Sequence, residues 1–217
     1  QKTAYEISTR DWSSDVCSSD LPNATRISVK GNFNDWTNDE YELYPRWDNS
    51  GIWEGFIPGF KLGETYKYHI TGYAGRKLDK GDPFANFWEK RPATASITWD
   101  MYYDWQDKEW MKKRKKHNSL EAPWSVYEVH LASWQRPVKT NEESYNTYDQ
   151  IRERLVPYVK EMGFTHVEFM PVMEHPFDGS WGYQCTGFFA ATSRFGDPQG
   201  LMRLIDAFHQ EGIDRKS

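Results

Sequence analysis

The sequence has few cysteines, no long apolar run and no excess of basic residues. It contains two cysteines, Cys17 and Cys185, which lie far apart and have no cysteine or histidine neighbour at metal-ligand spacing. A disulfide framework and a metal site are therefore not expected, and a reducing, cytoplasmic location is predicted. No segment approaches the roughly 20 apolar residues of a membrane helix, and no apolar stretch follows a basic N-terminus as in a secretory signal.

The charge balance argues against nucleic-acid binding. The net charge is -5 at pH 7, whereas nucleic-acid binders usually carry a basic face. The basic run 112–116 has no apolar partner face, so we interpret it as a solvated linker or helix face rather than as a phosphate or membrane site. No cofactor and no membrane partner are predicted, and the sequence does not determine the oligomeric state.

Aromatic residues are abundant in this chain. They make up 17% of it, with 11 Trp and 13 Tyr. Aromatic rings fill cores, and they also stack on the apolar faces of sugar rings, so composition leaves both uses open. Many of the Trp stand beside Gly, Asn, Asp or Pro in turn-like sequence, and we expect some of them at the surface.

The first half of the chain predicts a β domain after an unrelated leader. We interpret residues 1–21 as a non-native leader, because the tract 10–21 is rich in Ser and Asp, has no period and looks like a translated sequencing adapter. A disordered polar leader is the alternative. Residues 22–104 predict a β-sandwich, with short strands separated by Gly, Asn and Pro turns, at 27–30, 51–58, 65–70 and 95–99. Residues 105–122 predict a linker.

Residues 123–217 predict the start of a parallel α/β domain. The pattern indicates a strand over 125–131, a helix over 148–162, a second strand over 165–171 and a second helix over 198–212. Pro157 is expected to break or kink the first of these helices. This order opens a parallel α/β architecture, of which a (β/α)₈ barrel would need about eight units, and a third strand is expected after residue 213.

Motifs in both domains carry a family resemblance. The first domain holds VKGNFNDW at 29–36, GIWE at 51–54, YKY at 66–68 and DP at 82–83, and in this order they resemble the glycogen-binding module of family 48. The second holds YEVHLASW at 127–134, EHPFDGSWGYQ at 174–184 and TSRFG at 192–196. These runs resemble the early barrel of glycoside hydrolase family 13, and EHPFDGSWGYQ is similar to bacterial glycogen branching enzymes in particular.

The resemblance implies a fold and a reaction. The fold is multi-domain: an all-β immunoglobulin-like sandwich followed by the first part of a (β/α)₈ TIM barrel. The reaction cleaves an α-1,4 glucan and transfers the segment to a 6-hydroxyl, making α-1,6 branches through a covalent glucosyl-enzyme. The family's nucleophile and acid/base lie on later strands, so no catalytic residue is assigned in this sequence. Four carboxylates of this sequence are not assigned a catalytic role: Glu128, Glu168, Glu174 and Asp178.

The resemblance also assigns substrate-binding residues. Tyr183 matches the tyrosine that stacks on the cleaved sugar, and Trp181 and Gln184 flank it. In the module, Trp36 matches the glucan-stacking tryptophan, which we expect to be exposed, and Lys67 matches a lysine that hydrogen-bonds the sugar. The implied partner is an α-glucan such as glycogen or an amylose-like chain.

Four further side chains have an open or structural role. His130 ends the first barrel strand and points towards the active-site face, yet a structural histidine is the favoured interpretation. His175 is ambiguous for the same reason. Trp53 alternates with strand residues and is expected in the core, while Trp47 precedes a turn and fits either role.

Two alternatives to a fragment of a branching enzyme stay open. The first is a non-catalytic α-glucan-binding protein that carries a partial barrel. The second keeps the enzyme class and changes the reaction to that of a debranching enzyme or glucan hydrolase with the same modules.

Overall fold

The computed structural model describes residues 16–20, 24–48, 50–137 and 145–216. The chain divides into two compact units, Gln1–Met101 and Tyr102–Ser217. The first unit contains antiparallel strands and the second contains alternating strands and helices, as the sequence pattern predicted. Among the described residues no helix is long and apolar enough to cross a bilayer.

Antiparallel strands make up the first unit. The strands are β1 (Val16–Asp20), β2 (Ala24–Gly31), β3 (Tyr41–Pro45), β4 (Ile52–Phe56), β5 (Thr65–Gly72), β6 (Lys77–Lys80), β7 (Phe87–Trp88) and β8 (Ser96–Ile97). They follow the order β1-β4-β3-β2-β5-β8-β7, and β6 pairs with β5. The four strands that alternation predicted coincide with β2, β4, β5 and β8, which confirms those predictions.

Alternating side chains of the central strands form the core of this unit. Ile27 and Val29 on β2 have no exposed surface. Ile27 stands opposite Leu43 on β3 and Ile70 on β5, so apolar pairs cross the sheet on one face. Cross-strand pairs of this kind stabilise a sheet, and their burial places the polar residues between them on the opposite face.

Strand β1 falls inside the tract that the sequence analysis excluded from the fold. Its backbone pairs antiparallel with β4, with Val16 opposite Phe56 and Asp20 opposite Ile52. Backbone hydrogen bonds are available to any sequence, so a tract without hydrophobic period still extends a sheet edge. The non-native origin of residues 1–21 stays a prediction, and residues 1–15 lie outside the described residues.

The second unit alternates strands and helices. Its elements are α1 (Lys108–His117), β9 (Val126–Val129), α2 (Tyr148–Glu161), β10 (His166–Phe169), β11 (Met173–Glu174), β12 (Gly187–Ala191), α3 (Pro198–Gln210) and β13 (Asp214–Lys216). Strands β9, β10 and β13 are parallel neighbours in chain order, and β11 pairs with β12. The expected third strand therefore begins directly after Ile213.

Helices α2 and α3 begin at side-chain caps and cover one face of the parallel sheet. The Thr147 hydroxyl accepts a hydrogen bond from the Gln150 amide, and Asp197 accepts one from the Gly200 amide. Pro157 lies inside α2 and does not end it, so of the two predicted effects the break is wrong and the kink stays a prediction. The core formed with the helices includes Val129, Val167, Phe169, Ile151, Leu155, Leu204 and Phe208. The alternate strand residues lie on the other face, where Glu128 and Glu168 are exposed.

Residues 105–122, predicted as a linker, contain helix α1 in the structure and pack within the second unit. Trp110 is buried, and its ring stacks on His209 of α3 with centroids 5.6 Å apart. The Nδ1 of His209 donates to Asp107 at 2.7 Å, and Asn118 Nδ2 donates to the buried carboxylate of Asp214. The sequence of this segment is polar and has no apolar stripe, because these few side chains provide its buried contacts.

Candidate functional site

The loops after β9 and β10 meet at one edge of the parallel sheet. Because the two strands are parallel and in register, their carboxyl ends lie together, and α/β sheets bind ligands outside these ends. His130 follows β9 directly, and the segment between β10 and β12 contains Trp181 and Tyr183. Chain segments about 50 residues apart in sequence are gathered at this edge by the register of the sheet.

A cavity of about 310 Å³ opens at this edge. Its volume is at the lower end of the range of about 300–1,000 Å³ for small-ligand sites. Aromatic, imidazole and charged groups line it together, among them His130, Tyr145, His175, Asp178, Trp181 and Arg194. Such a mixture offers a flat apolar surface and several hydrogen-bonding groups, which is the chemistry that a sugar ring requires.

The three residues predicted here as substrate-binding lie on one exposed turn. Trp181 is 55% exposed and lines the cavity, with its ring centroid 5.4 Å from that of His130 and the planes 30° apart. Tyr183 is 68% exposed, so it is not a core tyrosine. Gln184 is exposed as well. The structure thus brings Trp181 and His130 together and leaves Tyr183 and Gln184 open to solvent.

The backbone of this turn is unusual. Trp181 has φ 53° and Gly182 has φ 88°, both in the left-handed region. A Cβ atom on Gly182 would lie 2.7 Å from the main-chain oxygen of Pro171, so glycine is required there by space as well as by conformation. A left-handed tryptophan is rare, and such conformations persist where surrounding contacts hold them.

The two histidines of the cavity favour their neutral form. Burial lowers the pKa of His130, and the nearby imidazole of His175 lowers it further. Burial also lowers the pKa of His175. The Nδ1 of His175 donates to the main-chain oxygen of Met173 at 2.8 Å, and the Nδ1 of His130 lies 3.1 Å from the hydroxyl oxygen of Ser133. A neutral imidazole both donates and accepts, which suits the hydroxyls of a polyol.

A buried ion network lies behind the turn. The guanidinium of Arg194 donates to Glu174 Oε1 at 3.0 Å through Nη1 and to Asp178 Oδ1 at 2.7 Å through Nε. Glu174 is buried and also accepts from the amides of His175 and Ser193. Both carboxylates are therefore engaged in hydrogen bonds with Arg194.

Sequence reasoning gave no role to three polar residues of the cavity, Arg194, Arg136 and Tyr145. Arg194 belongs to the TSRFG motif, yet no role was assigned to it. The guanidinium carbon of Arg136 lies 5.5 Å from the ring centroid of Tyr145. Burial raises the pKa of the Tyr145 hydroxyl, and the charge of Asp178 raises it further. Neither Arg136 nor Tyr145 falls in a periodic segment, so no sequence signal distinguished them from ordinary loop residues.

In the first unit, Trp36 and Lys67 lie at the same end of the β2–β5 pair. Trp36 follows β2, and its amide donates to the oxygen of Gly31 at 2.8 Å. Gly31 is opposite Tyr66, the residue before Lys67. Trp36 is 37% exposed, so its ring is accessible, as expected, although much of its surface is covered. The Nζ of Lys67 donates to the Thr94 hydroxyl at 2.7 Å, which leaves its other hydrogens for a ligand.

Two further tryptophans of this unit, Trp53 and Trp47, differ in exposure. Trp53 is 8% exposed and belongs to the apolar core, which confirms its expected role. Trp47 is 90% exposed at the turn between β3 and β4. Its exposure removes the core interpretation and leaves a surface ring.

Comparison with known proteins relates this geometry to carbohydrate-active enzymes. Residues 13–85 match the family model described as carbohydrate-binding module 48 (isoamylase N-terminal domain). The chain is 52% identical over 192 residues to 1,4-α-glucan branching enzyme GlgB of Aquifex aeolicus, and 45% identical over 193 residues to that of Bacillus subtilis. Each match covers 88% of this chain and 30% of the relative.

A solved structure shares the fold at low sequence identity. A crystal structure of a protein named as an α-amylase from Salmonella typhimurium aligns with TM-score 0.71 and 20% identity, over 95% of this chain and 32% of that one. At this identity the likeness concerns the fold alone. The chain spans about 30% of the length of the curated relatives that it matches, in their N-terminal part.

Proposed function

We propose that this chain, which corresponds to the N-terminal region of the 1,4-α-glucan branching enzymes, supplies α-glucan-binding surfaces to such an enzyme. The whole protein would cleave an α-1,4 linkage and transfer the segment to a 6-hydroxyl through a covalent glucosyl intermediate. The proposal includes the finer fold, an immunoglobulin-like sandwich followed by the first units of a (β/α)₈ barrel. The cytoplasmic location stays a prediction.

The observation that carries the proposal is the exposed aromatic turn beside the cavity. Trp181 and Tyr183 keep 55% and 68% of their surface open, although large rings are normally buried for their hydrophobic contribution. An exposed ring offers a flat apolar surface to the C–H face of a glucose unit. Neutral His130 and the Ser133 hydroxyl stand beside it as hydrogen-bonding partners for sugar hydroxyls.

The first unit would hold the glucan away from the reacting bond. Trp36 and Lys67 lie at one end of the sheet and combine a partly exposed ring with a charged donor. A hydrogen bond from a charged group contributes about 1.5–3 kcal/mol. Trp47 is 90% exposed but follows the end of β3, at the opposite end of the β2–β3 pair, so it is a separate surface ring.

The 217 residues by themselves should not branch glucans. A retaining mechanism needs a nucleophile and an acid/base whose carboxyl groups are about 5–5.5 Å apart. Glu174 is buried in hydrogen bonds and Asp178 is paired with Arg194. Glu128 and Glu168 lie within the strands rather than in the loops at the carboxyl edge. We expect no change in iodine staining when amylose is incubated with this chain.

Maltoheptaose binding to the whole chain tests the proposal. Titration calorimetry of the chain should show weak binding, and Trp181→Ala combined with Tyr183→Ala should weaken it at the second unit. Trp124→Ala is a matched control, because Trp124 is 48% exposed and stacks on His166 at the opposite, amino end of β10. Equal loss in both variants, or no binding by the unmodified chain, would contradict the proposal.

One measurement separates the enzyme alternatives. In the full-length protein, a branching enzyme creates new α-1,6 linkages in amylose, whereas a debranching enzyme removes them from glycogen and a hydrolase releases short oligosaccharides. The similarity to branching enzymes over 88% of the chain favours the first. Linkage analysis that finds only loss of α-1,6 bonds would favour the second.

A further inference from the structure

The turn that presents Trp181 and Tyr183 combines short-range backbone hydrogen bonds with contacts from outside the turn. Its backbone hydrogen bonds span three residues, such as Trp181 N to Asp178 O and Tyr183 N to Ser180 O, both at 3.0 Å. Bonds of this span shape a turn and do not fix it against the rest of the unit. Trp181 has a left-handed backbone conformation, which is unfavourable for an L-residue. The ring of His130 packs beside Trp181 from outside the turn, and a polar contact comes from an arginine.

Arg194 supplies this contact from a short 3₁₀ turn, Ser193–Phe195, at the far end of β12. Its side chain is buried, and its Nη1 donates to the main-chain oxygen of His175 at 2.7 Å and to Glu174 Oε1 at 3.0 Å. Its Nε donates to Asp178 Oδ1 at 2.7 Å. One rigid guanidinium thus contacts both the start and the middle of the segment that leads to Trp181.

The geometry favours arginine over any other cation at this position. The guanidinium is planar and directs its N–H groups in a fixed fork, so the directions towards Glu174 and Asp178 are set together. Glu174 is itself fixed by the amide of Ser193 at 2.7 Å. Asp178 belongs to the turn, and its side chain is 46% exposed, so this carboxylate connects the buried part of the network to the turn.

We propose that Arg194 is a positioning residue for the substrate-binding turn: it holds Asp178, and through Asp178 it sets Trp181 against the cavity and fixes the turn that carries Tyr183. The inference rests on the proposed function, because it gives the turn a role in binding α-glucan. Arg194 acts through the turn and is not a catalytic residue.

Hydrogen exchange of the whole chain, with and without maltoheptaose, tests this role. Asp178→Ala should speed ligand-free exchange in the peptide 176–184 by about tenfold, because the turn opens more often. It should also remove the protection that maltoheptaose gives to the same peptide. Asp178→Asn keeps an acceptor oxygen for Arg194 and should restore part of both effects. Arg194→Lys, which lacks the fork, should resemble Asp178→Ala.

A matched control is available in the same unit. Asp149 forms an ion pair with Arg203 through Nε at 3.0 Å and Nη2 at 2.7 Å, with its side chain 40% exposed. Asp149→Ala removes a comparable pair between α2 and α3 and should leave the peptide 176–184 unchanged. A general loss of stability would affect both variants alike.

The outcomes are distinct. Unchanged ligand-free exchange in Asp178→Ala overturns the positioning role, whatever happens to binding. Lost maltoheptaose protection with unchanged ligand-free exchange makes Asp178 a direct ligand contact and also overturns it. If the unmodified chain gains no protection from maltoheptaose, the proposed function of this turn fails, and the substrate part of the inference fails with it. If Arg194→Lys does not fold, the Asp178 variants decide the question.

Discussion

Replacing single tryptophans of the first unit with alanine tests whether Trp36 is a binding ring or a core ring. The three side chains form a graded series, with Trp53 8%, Trp36 37% and Trp47 90% exposed. A large aromatic side chain buries about 150–250 Å², at about 25 cal/mol per Å². The free energy of unfolding should therefore fall in proportion to the covered fraction of each ring.

The expected losses follow directly from these fractions. Trp53→Ala should cost about 3–5 kcal/mol, as other core truncations of this size do. Trp36→Ala should cost about 2–3 kcal/mol, because roughly two thirds of the ring is covered and the surrounding turn has room to relax. Trp47→Ala should change the stability by no more than about 0.5 kcal/mol. Urea unfolding of the whole chain, followed by circular dichroism, measures the series.

Glycogen affinity electrophoresis of the same variants measures binding. A stacked ring contributes about 1 kcal/mol to binding, and its loss weakens the affinity roughly fivefold. Trp36→Ala should therefore migrate faster in glycogen gels than the unmodified chain. Trp53→Ala, in the fraction that stays folded, should bind normally. Unchanged mobility of Trp36→Ala, together with a stability loss as large as that of Trp53→Ala, would refute the argument and place Trp36 in the core.

Three further outcomes are expected. Gly182→Ala should lose clearly more stability than Gly163→Ala in thermal melts, because both residues have positive φ but only Gly182 would meet a carbonyl oxygen, at 2.7 Å. Hydrogen bonds from Arg203 lower the pKa of Asp149. The contribution of this carboxylate to stability is therefore present above its unfolded pKa of about 3.9 and is lost as the pH falls through the lower folded pKa. Asp149→Asn should flatten the acid limb of a curve of stability against pH. A chain of residues 102–217 should melt higher than one of residues 123–217, because helix α1 buries its tryptophan within this unit; equal melting would make the segment a linker after all.

Local pattern alone determined most secondary structure of this protein. Alternation located β2, β4, β5 and β8, and helical spacing located α2 and α3, because the apolar period of a segment matches the face that it must bury. The motif EHPFDGSWGYQ singled out the exposed turn, and the matches to branching enzymes confirm that resemblance. The core role of Trp53 followed from its place in an alternating strand.

Tertiary structure decided what depends on partners far apart in the chain. The pattern around α1 predicts a polar linker, yet Asn118 donates a hydrogen bond to Asp214, 96 residues away, whose side chain is buried. Arg194 acquires a role only when folding brings Glu174 and Asp178 around it. The partial exposure of Trp36 depends likewise on its surroundings. A sequence period reports which face a residue occupies, whereas the burial of a polar group depends on whether a partner of opposite charge or hydrogen-bonding character arrives beside it.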